Sequence, residues 1–387
     1  MTRPPRVAVV GAGVAGAGVA SALGESALEV TVLERDDVAG GRTATHRRDG
    51  CRYDIGANYL SDGSERVSEL VRTLDDGDLV DIGASVWTFD ADGRISPGDE
   101  ARADDHRWTF EGGLATLPRR LLERSGATVR TGCSVTSLEY ASDEGRWIVD
   151  LGGEETNATA ENLDADAVVL TPPGPATASI LEASVDGSEE SESQPQSTFQ
   201  SQPQSQPQFQ ALAEAARSTP YRSVHSFALH YPFDLERPFY ALVNTDREHP
   251  VGWVAREGEK RGHVPEGETL LIAQMASDWS VTHRSTPAAD AAREAAARVA
   301  ALLEDDRLAD PDWTDLVEWR DALPDTDPDA DADAETTGTD RLRGAESAGL
   351  FVASDCTHGR GRIHAALERG LTVGDRIRES FGSDRSH

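Results

Sequence analysis

Apolar residues in this chain fall into short unbroken runs and longer helical stretches, and the alternation predicts most of the elements. At the start, Val7-Ala8-Val9-Val10 is a run of strand length, Val14 to Leu23 is a helix-length run rich in Ala and Gly, and Val30-Thr31-Val32-Leu33 is a second strand. Unbroken apolar strands are buried on both faces, as in a parallel sheet covered by helices, so the opening reads as β-α-β. Val67 to Leu74 predicts a helix, and Val86-Trp87-Thr88-Phe89 a strand closed by the turn Asp90-Ala91-Asp92-Gly93. Gly112-Gly113 precedes a helix from Leu114 to Ser125. Thr128-Val129-Arg130, Ser134 to Tyr140 and Trp147 to Leu151 read as short strands, with Glu144-Gly145 as a hairpin turn. Ala165 to Leu170 is a buried strand ending at Thr171-Pro172-Pro173-Gly174. Val224 to His230 and Thr269 to Met275 read as strands of a second sheet, followed by an alanine-rich helix from Pro287 to Glu304. Gly349 to Asp355 is a strand ending in an acid, and Ala365 to Arg378 a closing helix. The pattern predicts an α/β fold: a Rossmann-like domain assembled from the two chain ends and the middle, enclosing an inserted α+β substrate domain with an antiparallel sheet.

Two stretches read as insertions. Ser184 to Gln210 repeats Ser-Gln-Pro-Gln and lacks the apolar content to pack, which predicts a disordered Ser/Gln/Pro-rich loop. Asp325 to Asp340 alternates Asp with Ala and Thr. Its DxDxD spacing lacks the glycine and terminal glutamate of a calcium loop, so an acidic loop without metal is expected.

Chemistry enters at Gly11-Ala12-Gly13-Val14-Ala15-Gly16, because this GxGxxG follows a predicted strand, opens a predicted helix and precedes a strand ending in Glu34. Gly11 permits a tight turn, Gly13 lets backbone approach a pyrophosphate, and Gly16 allows close helix–strand packing. N–H groups at the helix N-terminus, where Val14 and Ala15 lie, attract that pyrophosphate, and Glu34 is placed to accept hydrogen bonds from an adenosine ribose diol. A dinucleotide cofactor follows.

Charge alters the reading of every acid. The 387 residues carry 69 acidic against 37 basic side chains, a net charge of −32, and the single lysine is Lys260. Such self-repulsion calls for high salt, where screening is short, and the pattern resembles proteins of salt-accumulating halophiles. Acidic runs are therefore read as solvated surface, and neither nucleic acid nor anionic membranes are expected as partners. An anionic cofactor then relies on the helix N-terminus and on the nearby Arg35 and Arg42. The opening apolar run is too short and glycine-punctuated to span a bilayer, and it lacks the flanks of a signal peptide. Cys51, Cys133 and Cys356 are widely spaced with no CxxC, which predicts neither a disulfide framework nor a zinc site and points to a reducing cytoplasm.

Gly40-Gly41-Arg42-Thr43-Ala44-Thr45 resembles the second motif of the FAD-dependent amine oxidases and their relatives, whose glycines and arginine border the flavin pyrophosphate and ring; Val38 stands where many relatives have an arginine. Tyr53-Asp54-Ile55-Gly56-Ala57-Asn58-Tyr59 is similar to that family's next motif. Phe351 to Asp355 with Gly361-Arg362-Ile363-His364 resembles its closing motif, in which an acid bonds the ribityl chain and a helix N-terminus faces the flavin. Trp253-Val254-Ala255-Arg256, Lys260-Arg261, Trp279 to His283 and Trp319 to Pro324 resemble substrate-domain segments of the renalase-like branch. The resemblance implies non-covalent FAD, with 1–65, 105–180 and 340–387 as a discontinuous FAD-binding domain and 66–104 and 211–324 as the substrate domain. It implies cofactor contacts at Gly11, Gly13, Val14, Ala15, Gly16, Glu34, Arg35, Gly40, Gly41, Arg42, Gly56, Ala57, Val135, Asp355, Arg362 and Ile363.

For catalysis the candidates are Lys260, Arg362 and His364. A lone ammonium kept among arginines suggests a compact, titratable charge near flavin or substrate. Amides of Ile363 and His364 at a helix N-terminus would stabilise the negative charge of a reduced flavin. Arg362 replaces an aromatic wall of the amine-binding cage, which fits a polar or anionic ring substrate. His225, His230 and His283 are weaker proton acceptors, and Cys356 and His46 lie outside any flavin-attachment motif. The expected function is an FAD-dependent oxidoreductase that takes hydride from a substrate C–H at flavin N5 and is reoxidised by O2 to give H2O2, with dihydro-NAD(P) isomers as the renalase-like substrate. An amine oxidase or a polyene desaturase-like flavoenzyme is the alternative, and a non-catalytic flavin-binding module the second.

Overall fold

The computed structural model describes residues 3–99, 105–152, 162–186, 206–325, 345–357 and 359–383. Two compact units divide the chain: Met1–Gly41, Pro118–Pro220 and Pro324–His387 form the first, and Arg42–Leu117 with Tyr221–Leu323 the second. The chain thus leaves the first unit twice, at residues 42 and 221. The expected nucleotide segments ended at 65 and resumed at 105, whereas residues 42–65 and 105–117 lie in the second unit. Their side chains explain the shift: Cys51, Tyr53 and Ile55 share a buried cluster with Ala228, Tyr240, Leu270 and Ile272 of that unit.

The first unit is built on a five-stranded parallel sheet in the order Thr128–Arg130, Glu29–Leu33, Arg6–Val10, Ala167–Leu170, Leu350–Val352. Every residue of Ala167–Leu170 is buried, as expected for a central strand covered on both faces. On one face, Ala8, Val10, Val168, Leu170 and Val352 join a cluster with Trp147 and Val149 of a three-stranded antiparallel sheet. On the other lies the helix Val14–Leu23, apolar nearly all round because it is buried nearly all round. The long helix Ile363–Ser383 packs on it through glycines: a Cβ on Gly370 would stand 2.2 Å from the Ala15 carbonyl oxygen, and one on Gly374 2.6 Å from Ala22 Cβ. These contacts advance together along both helices, so the two run in the same sense with their N-termini at one end.

Two expectations change in this unit. The apolar run Ala165–Leu170 is cut at Asp166, whose carboxylate accepts the Arg6 N–H at 2.7 Å. Asn162–Ala165 therefore joins the antiparallel sheet and Ala167–Leu170 the parallel one. The predicted loop 184–210 is helical at both ends, Gly174–Asp186 and Gln206–Ser218, and its residues 187–205 lie outside the described residues. Phe209, Leu212, Ala213 and Ala216 recur at helical spacing and are buried, a stripe that the Ser/Gln/Pro composition masked. Of the predicted acidic loop 325–340, residues 326–340 also lie outside the described residues.

The second unit holds a seven-stranded sheet in the order Trp313–Pro324, Tyr221–Tyr231, Thr269–Met275, Val251–Arg256, Ala241–Asn244, Val86–Phe89, Ile95–Ser96. Its pairings from Tyr221–Tyr231 through Ala241–Asn244 are antiparallel. The helix Ala288–Leu302 lays Ala291, Ala292, Ala295, Ala296 and Val299 on one face, where small side chains let it sit close over Phe227, Leu229, Leu271 and Val254. A hairpin, Thr45–Arg48 with Cys51–Asp54, a small sheet of Leu60–Ser61, Arg107–Phe110 and Leu79–Asp81, and the helices Glu65–Thr73 and Ser277–Thr282 also belong to it. Among the described residues no helix is long and apolar enough to cross a membrane.

Candidate functional site

In the first unit the parallel sheet delivers the glycine turn. Gly11 takes φ +100, a conformation that favours glycine, and donates its N–H to Leu33 O at 2.7 Å; a Cβ there would meet Thr171 Oγ1 at 2.6 Å. A Cβ on Gly16 would stand 2.0 Å from the Gly11 carbonyl oxygen, so that glycine is required by helix–turn packing. Gly13 differs. Its backbone is extended at φ −77, and the nearest atom to a Cβ there is Gly40 O at 3.9 Å. Nothing in the protein excludes a side chain at Gly13. Gly13 is also the N-cap of the helix and offers no side chain to its first N–H groups, leaving donors and open space together. That cradle fits a dinucleotide pyrophosphate.

Glu34 is 6% exposed, and its carboxylate accepts the Ala12 N–H at 2.7 Å and the Asp36 N–H at 3.1 Å. A carboxylate has lone pairs left after two such bonds, so ribose hydroxyls can still be received. Gly40 donates to Ala12 O at 3.1 Å, and a Cβ on Gly41, at φ +54, would lie 3.6 Å from Gly13 Cα, which places both glycines against the turn. Val14 is buried and Ala15 half-buried. Arg35 is exposed and paired with Asp36 at 3.7 Å. The Val135 side chain belongs to the core beside Ala8, Val10 and Leu33, at an irregularity in the strand register.

Asp355 is buried in a single turn of 3₁₀ helix just beyond the strand Leu350–Val352. Arg362 caps the closing helix through its carbonyl, which accepts the Ala366 N–H at 3.0 Å, and its own side chain is exposed. Ile363 opens the helix, two residues earlier than its pattern suggested. His364 is half-buried; burial, with the charges of Arg362 and Arg360 adding to it, pushes its imidazole below the ordinary value and keeps it neutral.

In the second unit Arg42 is drawn into a clamped segment. Its carbonyl accepts the Ala57 N–H at 2.9 Å, a Cβ on Gly56 would press on that same carbonyl oxygen, and its guanidinium donates to Ala322 O at 3.2 Å. Trp319 Nε1 donates to Ile55 O, Gln274 and Asn58 side chains donate to Gly56 O, and Tyr240 OH donates to Asn58 O. Tyr59, Tyr240 and Trp253 form an aromatic trio with centroids 6.2 to 6.4 Å apart. Beside it, Trp253 Nε1 and Asn58 Oδ1 are buried without hydrogen-bond partners. Such orphans are uncommon in native interiors, and this pair has one donor and one acceptor to spare.

Lys260 has a different place from the one expected at cofactor or substrate. It is 1% exposed, and its Nζ lies 2.9 Å from Asp54 Oδ2 and 2.7 Å from Glu257 Oε1. Glu257 Oε2 faces His263 Nδ1 at 3.0 Å, and His263 Nε2 faces the Phe110 carbonyl oxygen at 3.0 Å. Both ring nitrogens thus face acceptors. Two carboxylates, an ammonium and an imidazole thus form a sealed, mutually paired quartet. Burial opposes charge on Lys260, but Asp54 and Glu257 outweigh it and hold the ammonium above its ordinary range. Burial likewise opposes charge on Asp54, and Lys260 and His263, with N–H and hydroxyl donors from Leu114 and Thr45, carry its carboxyl below the ordinary value. Asp54, Glu257 and His263 have the spacing of a metal site, but the Lys260 ammonium occupies the cation position. The quartet anchors the segment that follows Asp54, since Glu257 also accepts the Asp54 N–H. Sequence reading named Lys260 and Asp54 but missed Glu257 and His263; their three-residue spacing about the single lysine was the available signal.

The sequence profile described as "Flavin containing amine oxidoreductase" matches residues 83–378, and that of an NAD(P)-binding Rossmann-like domain matches residues 9–74. No curated protein matches. Among solved structures, a protein assigned as a protoporphyrinogen oxidase from Exiguobacterium sp. 255-15 is similar with a TM-score of 0.70 at 14% identity, covering 98% of this chain and 100% of that one. Cyclohexylamine oxidase from Brevibacterium oxydans IH-35A is similar with a TM-score of 0.67 at 15% identity, covering 98% and 100%. Putrescine oxidase bound to putrescine gives 0.65 at 16%, covering 97% and 99%. At such identities the likeness establishes a shared fold, whereas the first profile spans most of the chain: it belongs to the flavin containing amine oxidoreductase family and is an FAD-dependent oxidoreductase.

Proposed function

We propose that this oxidoreductase oxidises a planar, polar ring substrate of the dihydronicotinamide kind at a C–H next to nitrogen. The observation that carries the reading is the aromatic trio Tyr59, Tyr240 and Trp253 with the buried, unpartnered Trp253 Nε1 and Asn58 Oδ1 beside it. Aromatic faces favour a planar ring, and the orphan donor and acceptor suit a carboxamide, which offers one of each. When bound, FAD would supply the hydride acceptor at flavin N5, with O2 as the final electron acceptor and H2O2 as its product.

In the first unit, Gly11, Gly13, Val14, Ala15, Gly16, Glu34, Arg35, Gly40, Gly41 and Val135 are assigned to the ADP half of FAD. Asp355, Arg362, Ile363 and the neutral His364 are assigned to its flavin end, where the helix N-terminus favours negative charge. In the second unit, Arg42, Gly56 and Ala57 are the assigned cofactor contacts, and Lys260 positions their segment through Asp54. The flavin is held non-covalently: His46 is engaged by Asp315 at 2.8 Å, and burial pushes the Cys356 thiol up to about 11, which keeps it protonated and a poor nucleophile.

Anaerobic mixing with 2- or 6-dihydro-NAD(P) is expected to bleach the flavin absorbance rapidly, and an unchanged spectrum would exclude this substrate class. The trio also suits a neutral amine, so bleaching by amines instead would establish an amine oxidase. Bound FAD that no donor reduces would establish a flavin-binding module.

A further inference from the structure

We propose that the second unit carries a binding site for a borderline-soft divalent cation of the zinc class, with Cys51, His230 and Glu268 as protein ligands. Cys51 Sγ, a His230 ring nitrogen and a Glu268 carboxylate oxygen all lie within 4.8 Å of one another. Glu268 Oε2 is 4.0 Å from Cys51 Sγ and 2.9 Å from His230 Nε2. A tetrahedral zinc, with bonds of about 2.3 Å to sulfur and about 2.1 Å to nitrogen and oxygen, sets its ligand atoms roughly 3.5 Å apart. The separations straddle that value, so small side-chain movements close the site.

The surroundings have the form that metal-bound histidines use. The outer ring nitrogen, His230 Nδ1, is buried without a hydrogen-bond partner and has Asp312 Oδ2 at 3.5 Å. A carboxylate behind a ligating imidazole fixes its tautomer and orientation. On metal binding, Nε2 becomes the ligand and Nδ1 carries the proton toward Asp312, while the Cys51 thiol releases its proton to solvent. Trp313 stacks on the ring at 4.9 Å with planes 4° apart, which holds it in place. Cys51 sits at the head of the strand Cys51–Asp54, His230 on Tyr221–Tyr231 and Glu268 just before Thr269–Met275, so the ion would clasp three elements of one unit. Glu268, with a third of its side chain exposed, provides the entry path, and solvent completes the coordination.

The test is titration of the chelator-washed full chain with Co2+ and Zn2+. Co2+ is expected to give ligand-field bands to the red of any flavin absorption, Zn2+ to bleach them at one ion per chain and to raise the unfolding temperature. Cys51→Ala should abolish the bands. Asp312→Asn, at an exposed side chain that leaves the core untouched, should weaken binding by about 10-fold or more. Absence of the bands, or bands undiminished by both Cys51→Ala and Asp312→Asn, would overturn the site.

Discussion

The glycine turn at Gly11–Gly16 and the quartet around Lys260 solve opposite problems. The turn presents backbone N–H groups to open space and is made by removing side chains. The quartet removes two carboxylates, an ammonium and an imidazole from water and is made by pairing them. In the turn, two glycines answer to the protein and one, Gly13, answers to nothing in it. In the quartet every polar group answers to another, and nothing is left for a ligand. Ligand sites show up as unmet capacity, whereas structural sites show up as its complete use.

Breaking the quartet gives the largest expected effect. Lys260→Met leaves the carboxylates of Asp54 and Glu257 buried without their cation, a loss of about 3–5 kcal/mol that a denaturant titration would read. The contrast should depend on pH in a definite way. Asp54 has its carboxyl depressed from 3.8, so its contribution is present above that pH and is lost as pH falls through the lower folded value. Lys260 is raised from 10.5, so its contribution is complete below that pH and is lost only as pH rises through the higher folded value. Wild-type stability should therefore hold between these limits and fall below 3.8 more steeply than that of Lys260→Met.

Within the turn, two substitutions should separate what the protein needs from what the cofactor needs. Gly16→Ala drives a Cβ against the Gly11 carbonyl, an overpacking that costs roughly 1–3 kcal/mol of stability. Gly13→Val should leave stability within about 0.5 kcal/mol, a surface-like effect. Its bound FAD, read from the visible spectrum of purified protein, should nevertheless fall at least about tenfold, which corresponds to 1.4 kcal/mol. If Gly13→Val unfolded the chain and kept its flavin, the comparison between the two regions would fail.

How legible each region was in the sequence follows from its construction. The turn is local: strand, glycines, helix and Glu34 lie within 30 residues, and their spacing encodes their geometry. The quartet joins Asp54 to residues more than 200 positions later, a distance that spacing rules do not bridge. The same holds for Cys51, His230 and Glu268, whose side chains meet although 179 and 38 positions separate them, so the spacing of the cysteines alone did not point to them. The unit boundary was misjudged for a related reason. Cys51, Tyr53 and Ile55 follow the nucleotide motif in sequence, but their apolar partners lie on strands of the second unit. The helix Gln206–Ser218 was hidden by its composition, although Phe209, Leu212 and Ala216 carried its period.

The smallest expected effect sharpens the comparison from the solvent side. Arg119 and Glu123 form an i,i+4 pair at 3.1 Å with more than half of each side chain exposed, the kind of pairing this acid-rich surface displays in quantity. Arg119→Ala should change stability by no more than about 0.5 kcal/mol, because water already screens both charges. That difference should shrink further in about 1 M salt, where the Debye length is about 3 Å. The Lys260→Met difference should persist there, since ions do not enter a sealed quartet. Measuring both variants in low and high salt reads the two environments on one scale: an equal salt response would mean that the quartet opens to water, and a salt-independent loss at Lys260 alone would mean that its charges are isolated from solvent.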